Sequence, residues 1–250
     1  PIVPGVVRVR SFRIVNQGRS DQLEGKVDLV WGAVNPLELL ASRVHVVWLR
    51  CRGVEFRLRK RPATPEEAAQ LRVGYPEIDG VAWAPYAAPP GAVPKAKKGK
   101  GTTIAFTRSH LADVREVWIG ERRLRGKGTV VASVTVFGDG PIAIPHADVR
   151  FEEARIDNGP EETYADLKFR VLGKMARYDK RATTGLGILD LIRARVELRA
   201  RMPSGGGYLN VYLRNAPWIR FTGGEASLST HLFVDRGRLA PGGWIELSSS

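Results

Sequence analysis

The sequence has few of the residues that build active sites and metal sites. Its one cysteine, Cys51, excludes an internal disulfide and leaves the redox compartment open. The four histidines are scattered, without a His-Glu-x-x-His or paired-cysteine spacing. No Gly-x-Ser-x-Gly sequence provides a hydrolase nucleophile. We therefore expect a protein that is not an enzyme, with no catalytic residue, metal or cofactor.

Long apolar stretches are also missing. No run approaches the about 18 uninterrupted apolar residues that a membrane span requires, and no apolar leader follows Pro1. The chain starts without Met and ends at Ser250 directly after a strand pattern. We expect it to be part of a longer protein from which a targeting or anchoring segment has been removed.

Charge is the feature that departs most from an ordinary composition. The chain has 39 Lys and Arg against 26 Asp and Glu, a formal net charge of +13 and a pI near 10.3. Such an excess favours an anionic partner. Nucleic acid, anionic phospholipid and acidic polysaccharide all fit it, and composition does not choose among them.

Alternation of apolar and polar residues predicts a protein that is nearly all β. In the stretch 23–61, Val27, Leu29 and Trp31 alternate with charged residues, and Val54, Phe56 and Leu58 repeat the pattern. A change of parity in the first strand predicts a β-bulge near Ser11. Further strands are predicted at 104–106, 114–119, 124–136, 142–144, 149–156, 165–171, 196–198, 209–213, 218–221, 226–234 and 245–247.

Short helical segments punctuate these strands. Asn35 is a candidate N-cap before Pro36, and the segment 37–44 aligns without gaps with 189–196. Thr64 begins a second helix with a capping box. These signals divide the chain into an N-terminal strand-helix-strand unit at 1–61, a Pro-rich insert at 62–101 that ends in the lysine loop 95–100, and a continuation of the sheet at 102–250.

One face of many successive strands is apolar, and few helices are available to cover it. Such a sheet closes on itself as a sandwich or barrel, or it binds something apolar. The residue pattern leaves these alternatives open.

The stretch 26–59 resembles the N-terminal unit of bacterial AsmA-like envelope proteins. The likeness lies in a strand, a Leu-rich helix and a strand ending in Cys51-Arg52-Gly53-Val54-Glu55-Phe56. The segments 224–228 and 234–242 are similar to strand pairs farther along such proteins. The resemblance implies an elongated, curved, taco-like sheet on the periplasmic side of the inner membrane. Its apolar groove would carry phospholipid between membranes, with other envelope proteins as possible partners.

The candidate site residues follow from the apolar strand faces together with the family resemblance, and from the excess of positive charge. The groove is predicted to be lined by Val27, Leu29, Trp31, Val54, Phe56, Leu58, Leu167, Phe169, Leu228 and Leu232. Anionic headgroups or phosphates are predicted to contact Arg57, Arg59, Arg122, Arg123 and Arg125. The alternative function is a basic β-sandwich that binds nucleic acid or acidic polysaccharide through these arginines and the lysine loop.

Overall fold

A single curved and open sheet of eleven strands makes up this computed structural model. The structure describes residues 5–17, 21–74, 101–120, 122–158, 161–179, 185–203 and 224–249. Three short helices accompany the sheet: α1 (Pro36–Leu39), α2 (Pro65–Gly74) and a 3₁₀ helix (Gly185–Leu191). The prediction of a mainly antiparallel, curved all-β fold with short helical segments is confirmed. The strands are β1 (Gly5–Gln17), β2 (Asp21–Asn35), β3 (Arg43–Lys60), β4 (Thr103–Ile119), β5 (Arg122–Val136), β6 (Ile142–Asn158), β7 (Glu161–Tyr178), β8 (Ile192–Met202), β9 (Ala226–Asp235), β10 (Arg238–Leu239) and β11 (Trp244–Ser249).

The strands pair in chain order from β1 to β10, and β11 pairs with β9. Strands β3 and β4 are parallel, whereas the other paired strands are antiparallel. A parallel pair requires a crossover of a dozen or more residues, which the segment 62–101 supplies. The strands on both sides of this insert therefore belong to one sheet.

The short helices begin where their caps predict. The side chain of Asn35 accepts a hydrogen bond from the Leu37 N–H at 3.2 Å, and Thr64 Oγ1 accepts one from the Glu67 N–H at 3.2 Å. The second copy of the Leu-rich segment forms the 3₁₀ helix, which leads directly into β8. Both Leu-rich segments therefore lie at one end of the sheet, each before a strand.

Several predicted strands are longer than expected. The predicted strands at 104–106 and 114–119 form one strand, β4, and those at 142–144 and 149–156 form β6. Bulges keep the ladder continuous here, because an extra residue restores the apolar face after a polar interruption. The predicted strands at 209–213 and 218–221, and the lysine loop 95–100, lie outside the described residues.

The apolar core lies in the middle of the sheet. Its buried members are Val114, Phe151, Ala154, Leu167 and Ala200, which belong to strands β4, β6, β7 and β8. Extensive contacts between the described strands all join sheet neighbours, so no sandwich or barrel forms within this part of the chain. Burial decreases from these central strands to the edge strand β1, whose apolar side chains are exposed.

Candidate functional site

One side of the sheet carries an unbroken row of apolar side chains across nine strands. Directly opposed residues on neighbouring strands point to the same side of a sheet. We call this side the apolar face. Its central row consists of Val9, Val30, Cys51, Leu111, Val130, Val149, Val171, Val196 and Leu232.

A second row continues the apolar face toward the end of the sheet where β3 ends. The rings of Phe151 and Phe169 stack in this row, with centroids 5.2 Å apart. A Cβ atom at Gly128 would overlap the Phe151 ring, so the ring fits here because Gly128 has no side chain. The row consists of Phe12, Val27, Val54, Val114, Gly128, Phe151, Phe169, Leu198 and Thr230.

The two rows are two residues apart in β5 but three residues apart in β1, β2, β3 and β4. In β1, β3 and β4 the extra residues are Ser11, Gly53 and Asp113, with φ of 53°, 67° and 55°. A left-handed residue inserted in a strand turns the following side chains to the other side. These extra residues keep the same face apolar although the sequence changes parity. The predicted parity change near Ser11 is present, but β1 and β2 keep one register there, so Ser11 is not bulged against β2.

The structure brings most of the predicted groove residues together. The positions that lie on the apolar face are Val27, Val54, Phe56, Leu58, Leu167, Phe169, Leu228 and Leu232. The prediction that Leu29 and Trp31 share a face with Val27 is wrong. Leu29 is opposed to Arg10 and Arg52, on the other side of the sheet. The error came from extending strict alternation through Asp28, since the two apolar rows are three residues apart in β2.

A buried cluster of charges occupies the other side of the sheet, which we call the charged face. Trp118 lies there with 0% exposure. The guanidinium groups of Arg57, Arg59 and Arg123 lie 5.9, 5.3 and 4.9 Å from its ring centroid. Glu116 forms ion pairs with Arg57 at 2.5 Å and with Arg123 at 2.7 Å. Glu116, together with Glu24 beside Arg57 and Arg59, therefore offsets part of the positive charge of this cluster.

The predicted phosphate-binding arginines are largely engaged in such pairs. Arg57 also pairs with Glu24 at 3.4 Å, and Arg125 pairs with Asp157. Arg122 alternates with Arg123 along β5 and points to the opposite side. The five positions therefore do not form one basic patch open to a polyanion.

Hydrogen bonds hold the carboxyl groups of the charged face in their ionised form. Burial acts to raise the pKa of Glu116, but hydrogen bonds from Arg57 and Arg123 outweigh it and the pKa lies below its usual value. Burial likewise opposes the hydrogen bond from Arg13 at Glu24, whose pKa is also lowered. These groups stabilise the sheet as ions and have no free proton to transfer near neutral pH.

A cavity of about 640 Å³ opens beside the register shifts of β5, β6 and β7. Sequence reasoning did not find it, because its walls come from residues on four strands. Its basic and acidic side chains are equal in number, so it has no marked preference for an ion of either sign. The lining side chains are Arg125, Arg155, Lys168 and Arg201 with Glu152, Glu153, Glu162 and Asp166.

Reactive and metal-ligating groups do not converge in the described part of the chain. No group of three or more His, Cys, Asp or Glu side chains there could hold a metal ion. His45 instead contacts Glu38 Oε1 at 2.5 Å and Thr107 Oγ1 at 2.7 Å. Cys51 lies within the central apolar row, where burial raises the pKa of its thiol. The raised pKa favours the protonated thiol, which is the inert form.

Fold and site together define an open, single-layer β sheet with one continuous apolar face and one charged face. No protein-family model matches the chain, and no curated protein matches it. Among the described residues, no helix has both the length and the apolar character needed to cross a membrane.

Proposed function

We propose that this chain binds phospholipid on its apolar face, as a segment of an AsmA-like envelope protein that transfers phospholipid between membranes. The observation that carries the proposal is the central row, which is apolar in all nine strands that it crosses. The proposed location is the periplasmic side of the inner membrane, in contact with other envelope proteins.

The dimensions of the apolar face suit an acyl chain. Neighbouring strands lie about 4.8 Å apart, so nine strands span about 38 Å. One leaflet of a bilayer contributes about 15 Å of hydrocarbon, which is well within this length. Each CH₂ group moved from water to the face gains about 0.8 kcal/mol, so even partial contact along an acyl chain supports binding.

Accessible parts of this face lie at both edges of the described sheet. Ile245 and Leu247 of β11 have 61% and 47% exposure, and the side chains of the edge strand β1 are comparable. Val7, Val9, Phe12 and Ile14 are all exposed in β1, whereas Phe151 in the middle of the sheet has 1% exposure. Lipid is therefore expected to enter at an exposed edge of the sheet, and β1 is one of the two. The alternative of nucleic-acid binding through Arg57, Arg123 and Arg125 has less support, because carboxylates already pair with these arginines.

Native mass spectrometry of the purified chain, followed by organic extraction, tests this proposal. Ile14 and Val15 are adjacent, have 48% and 46% exposure, and point to opposite faces. We expect co-purifying phospholipid, lost in Ile14→Asp and retained in the matched control Val15→Asp. Equal lipid in both variants, or none in the unmodified chain, would contradict the proposal.

A further inference from the structure

The end of the sheet that carries α1 exposes an apolar tip. Leu37, Leu39 and Leu40 all face solvent there, and Leu40 has 89% exposure. The one acidic residue of α1, Glu38, is held by Arg43 at 3.0 Å and by His45 at 2.5 Å. The tip therefore presents leucines to solvent without an unpaired negative charge.

Tryptophans follow the leucines along the strands that α1 connects. Trp48 is opposed to Ala33, and Trp31 lies two residues farther from the tip on the same side. The two indole rings meet edge to face, with centroids 5.7 Å apart, and Trp31 has 45% exposure. Trp31 lies about 13 Å along the strand from the helix at about 3.3 Å per residue.

Arginines come next in the same order. Arg8 and Arg50 flank Trp31 on the neighbouring strands, and Arg10 and Arg52 flank Leu29 one step farther from the tip. All four are exposed and make no ion pair with a described carboxylate. This group, which we call the arginine frame, differs from the arginines around Trp118 in having its positive charge uncompensated.

We propose that the α1 end of the sheet docks onto a bilayer containing anionic phospholipid. The leucines of α1 insert, the tryptophans lie at the interface and the arginine frame faces the headgroups. Interfacial elements bury their apolar side chains about 5–10 Å deep, and tryptophan prefers the headgroup level. Each arginine near an anionic surface adds about a fivefold gain in binding. With the strands inclined to the surface, the three layers fall in the order that a bilayer requires.

Two further leucines at the same end of the sheet support this orientation. Leu189 in the 3₁₀ helix and Leu239 in β10 are both exposed. Leu189 precedes the start of β8, and Leu239 is opposed to Val234 near the end of β9; both are at the end of the sheet where α1 joins β2 and β3. The apolar positions therefore recur along one edge of the sheet, as a contact with an extended surface needs.

The inference deepens the proposed function and rests on it, since a protein that moves lipid must reach a membrane. Its test is co-sedimentation with vesicles of phosphatidylcholine alone or mixed with phosphatidylglycerol. We expect Leu39→Ser/Leu40→Ser to weaken partition into both vesicles at least tenfold. The matched control Ile119→Ser/Val15→Ser removes two exposed apolar side chains at the opposite end and is expected to leave partition unchanged.

The arginine frame has its own test. Arg50→Gln/Arg52→Gln is expected to reduce partition into the phosphatidylglycerol vesicles about thirtyfold and to spare binding to phosphatidylcholine. Arg155→Gln/Arg199→Gln removes the same charge from exposed positions in the other half of the charged face and serves as the control. Circular dichroism and the urea midpoint verify that all variants fold.

Three results would overturn the docking proposal. The first is that the unmodified chain sediments with neither kind of vesicle. The second is that a variant and its control lose vesicle partition equally. The third is that a single-stranded oligonucleotide binds through the arginine frame while vesicles do not bind. The two proposals fail separately. The Ile14→Asp variant is expected to lose extracted lipid but to keep its partition into vesicles. A chain that sediments with vesicles yet never carries lipid would support the docking surface and refute the lipid-binding function.

Discussion

The side chains on the two faces of the sheet are stabilised by different interactions. On the charged face around Trp118, each carboxylate finds an arginine and each of these arginines finds a carboxylate or the indole ring. On the apolar face, side chains pack along their rows, and the rows end at an exposed edge strand. The charged face around Trp118 is therefore complete in itself, while the apolar face has surface left to bury.

This difference separates stability from binding within one layer of structure. Pairing of buried charges fixes the geometry of the strands, since an unpaired charge in the cluster would be costly. Covering the exposed apolar surface at β1 with an apolar ligand is favourable, because it removes that surface from water. The same contrast recurs among the arginines, which are paired around Trp118, whereas those of the arginine frame have no ion pair with a carboxylate in the described part of the chain.

The largest expected effect is at the centre of the apolar face. Phe151→Ala removes a side chain with 1% exposure and its stack on Phe169, and should lower the free energy of unfolding by about 4 kcal/mol. Phe12→Ala, in the same row at the exposed edge, should cost about 1 kcal/mol. Urea unfolding of both variants measures the difference, and equal losses would mean that the edge is as well packed as the centre.

On the charged face, Glu116→Ala should cost about 3 kcal/mol, because it leaves Arg57 and Arg123 beside Trp118 without their common carboxylate. The control is Glu153→Ala, which breaks the exposed pair with Lys127 and should leave the urea midpoint unchanged. A Glu116 variant as stable as the Glu153 variant would show that the cluster does not hold the strands together.

Gly128→Ala sharpens the comparison from within the apolar face. The added methyl group would overlap the Phe151 ring and should cost about 2 kcal/mol. Gly5→Ala places the same group in open space at the start of β1 and serves as the control. Combining Gly128→Ala with Phe151→Leu should recover part of the loss. Additive losses would place the strain elsewhere.

Acid should weaken the charged face selectively and by a smaller amount per group. The pKa values of Glu24 and Glu116 are lowered, and hydrogen bonds from Arg150 and Arg170 hold the pKa of Asp148 well below its usual value. Groups with a lowered pKa contribute stability above their unfolded pKa, and this stability is lost as pH falls through the folded value. The urea midpoint should fall below about pH 4, and less steeply in Glu116→Gln; parallel curves would contradict this.

Much of the fold follows from local sequence signals. Alternation predicted the strands, Asn35 and Thr64 predicted the helix starts, and the parity change near Ser11 lies where the backbone has a left-handed residue. The left-handed residues Gly53 and Asp113 were not predicted. The change of face beside each of them is defined by the register with neighbouring strands and not by the residue type.

The site was less predictable than the fold. The prediction placed Leu29 and Trp31 on the apolar face, whereas they lie on the charged face. The change of parity in β2 has no signal of its own in the sequence. The pairing of Arg57 with Glu116 joins strands far apart in the chain, which alternation cannot reveal. The arginine frame had a partial signal in the Arg8 and Arg10 alternation, but the opposed strands that complete it became apparent only from the register.

The most direct test of the central claim is photo-cross-linking with a phospholipid that carries a photoreactive group on its acyl chain, with the adducts mapped by mass spectrometry. If the apolar face binds lipid, adducts should fall on Val9, Phe12, Ile14 and Phe56, which lie on that face at and near the exposed β1 edge. Adducts confined to the charged face, or spread equally over Ile14 and Val15, would contradict the account.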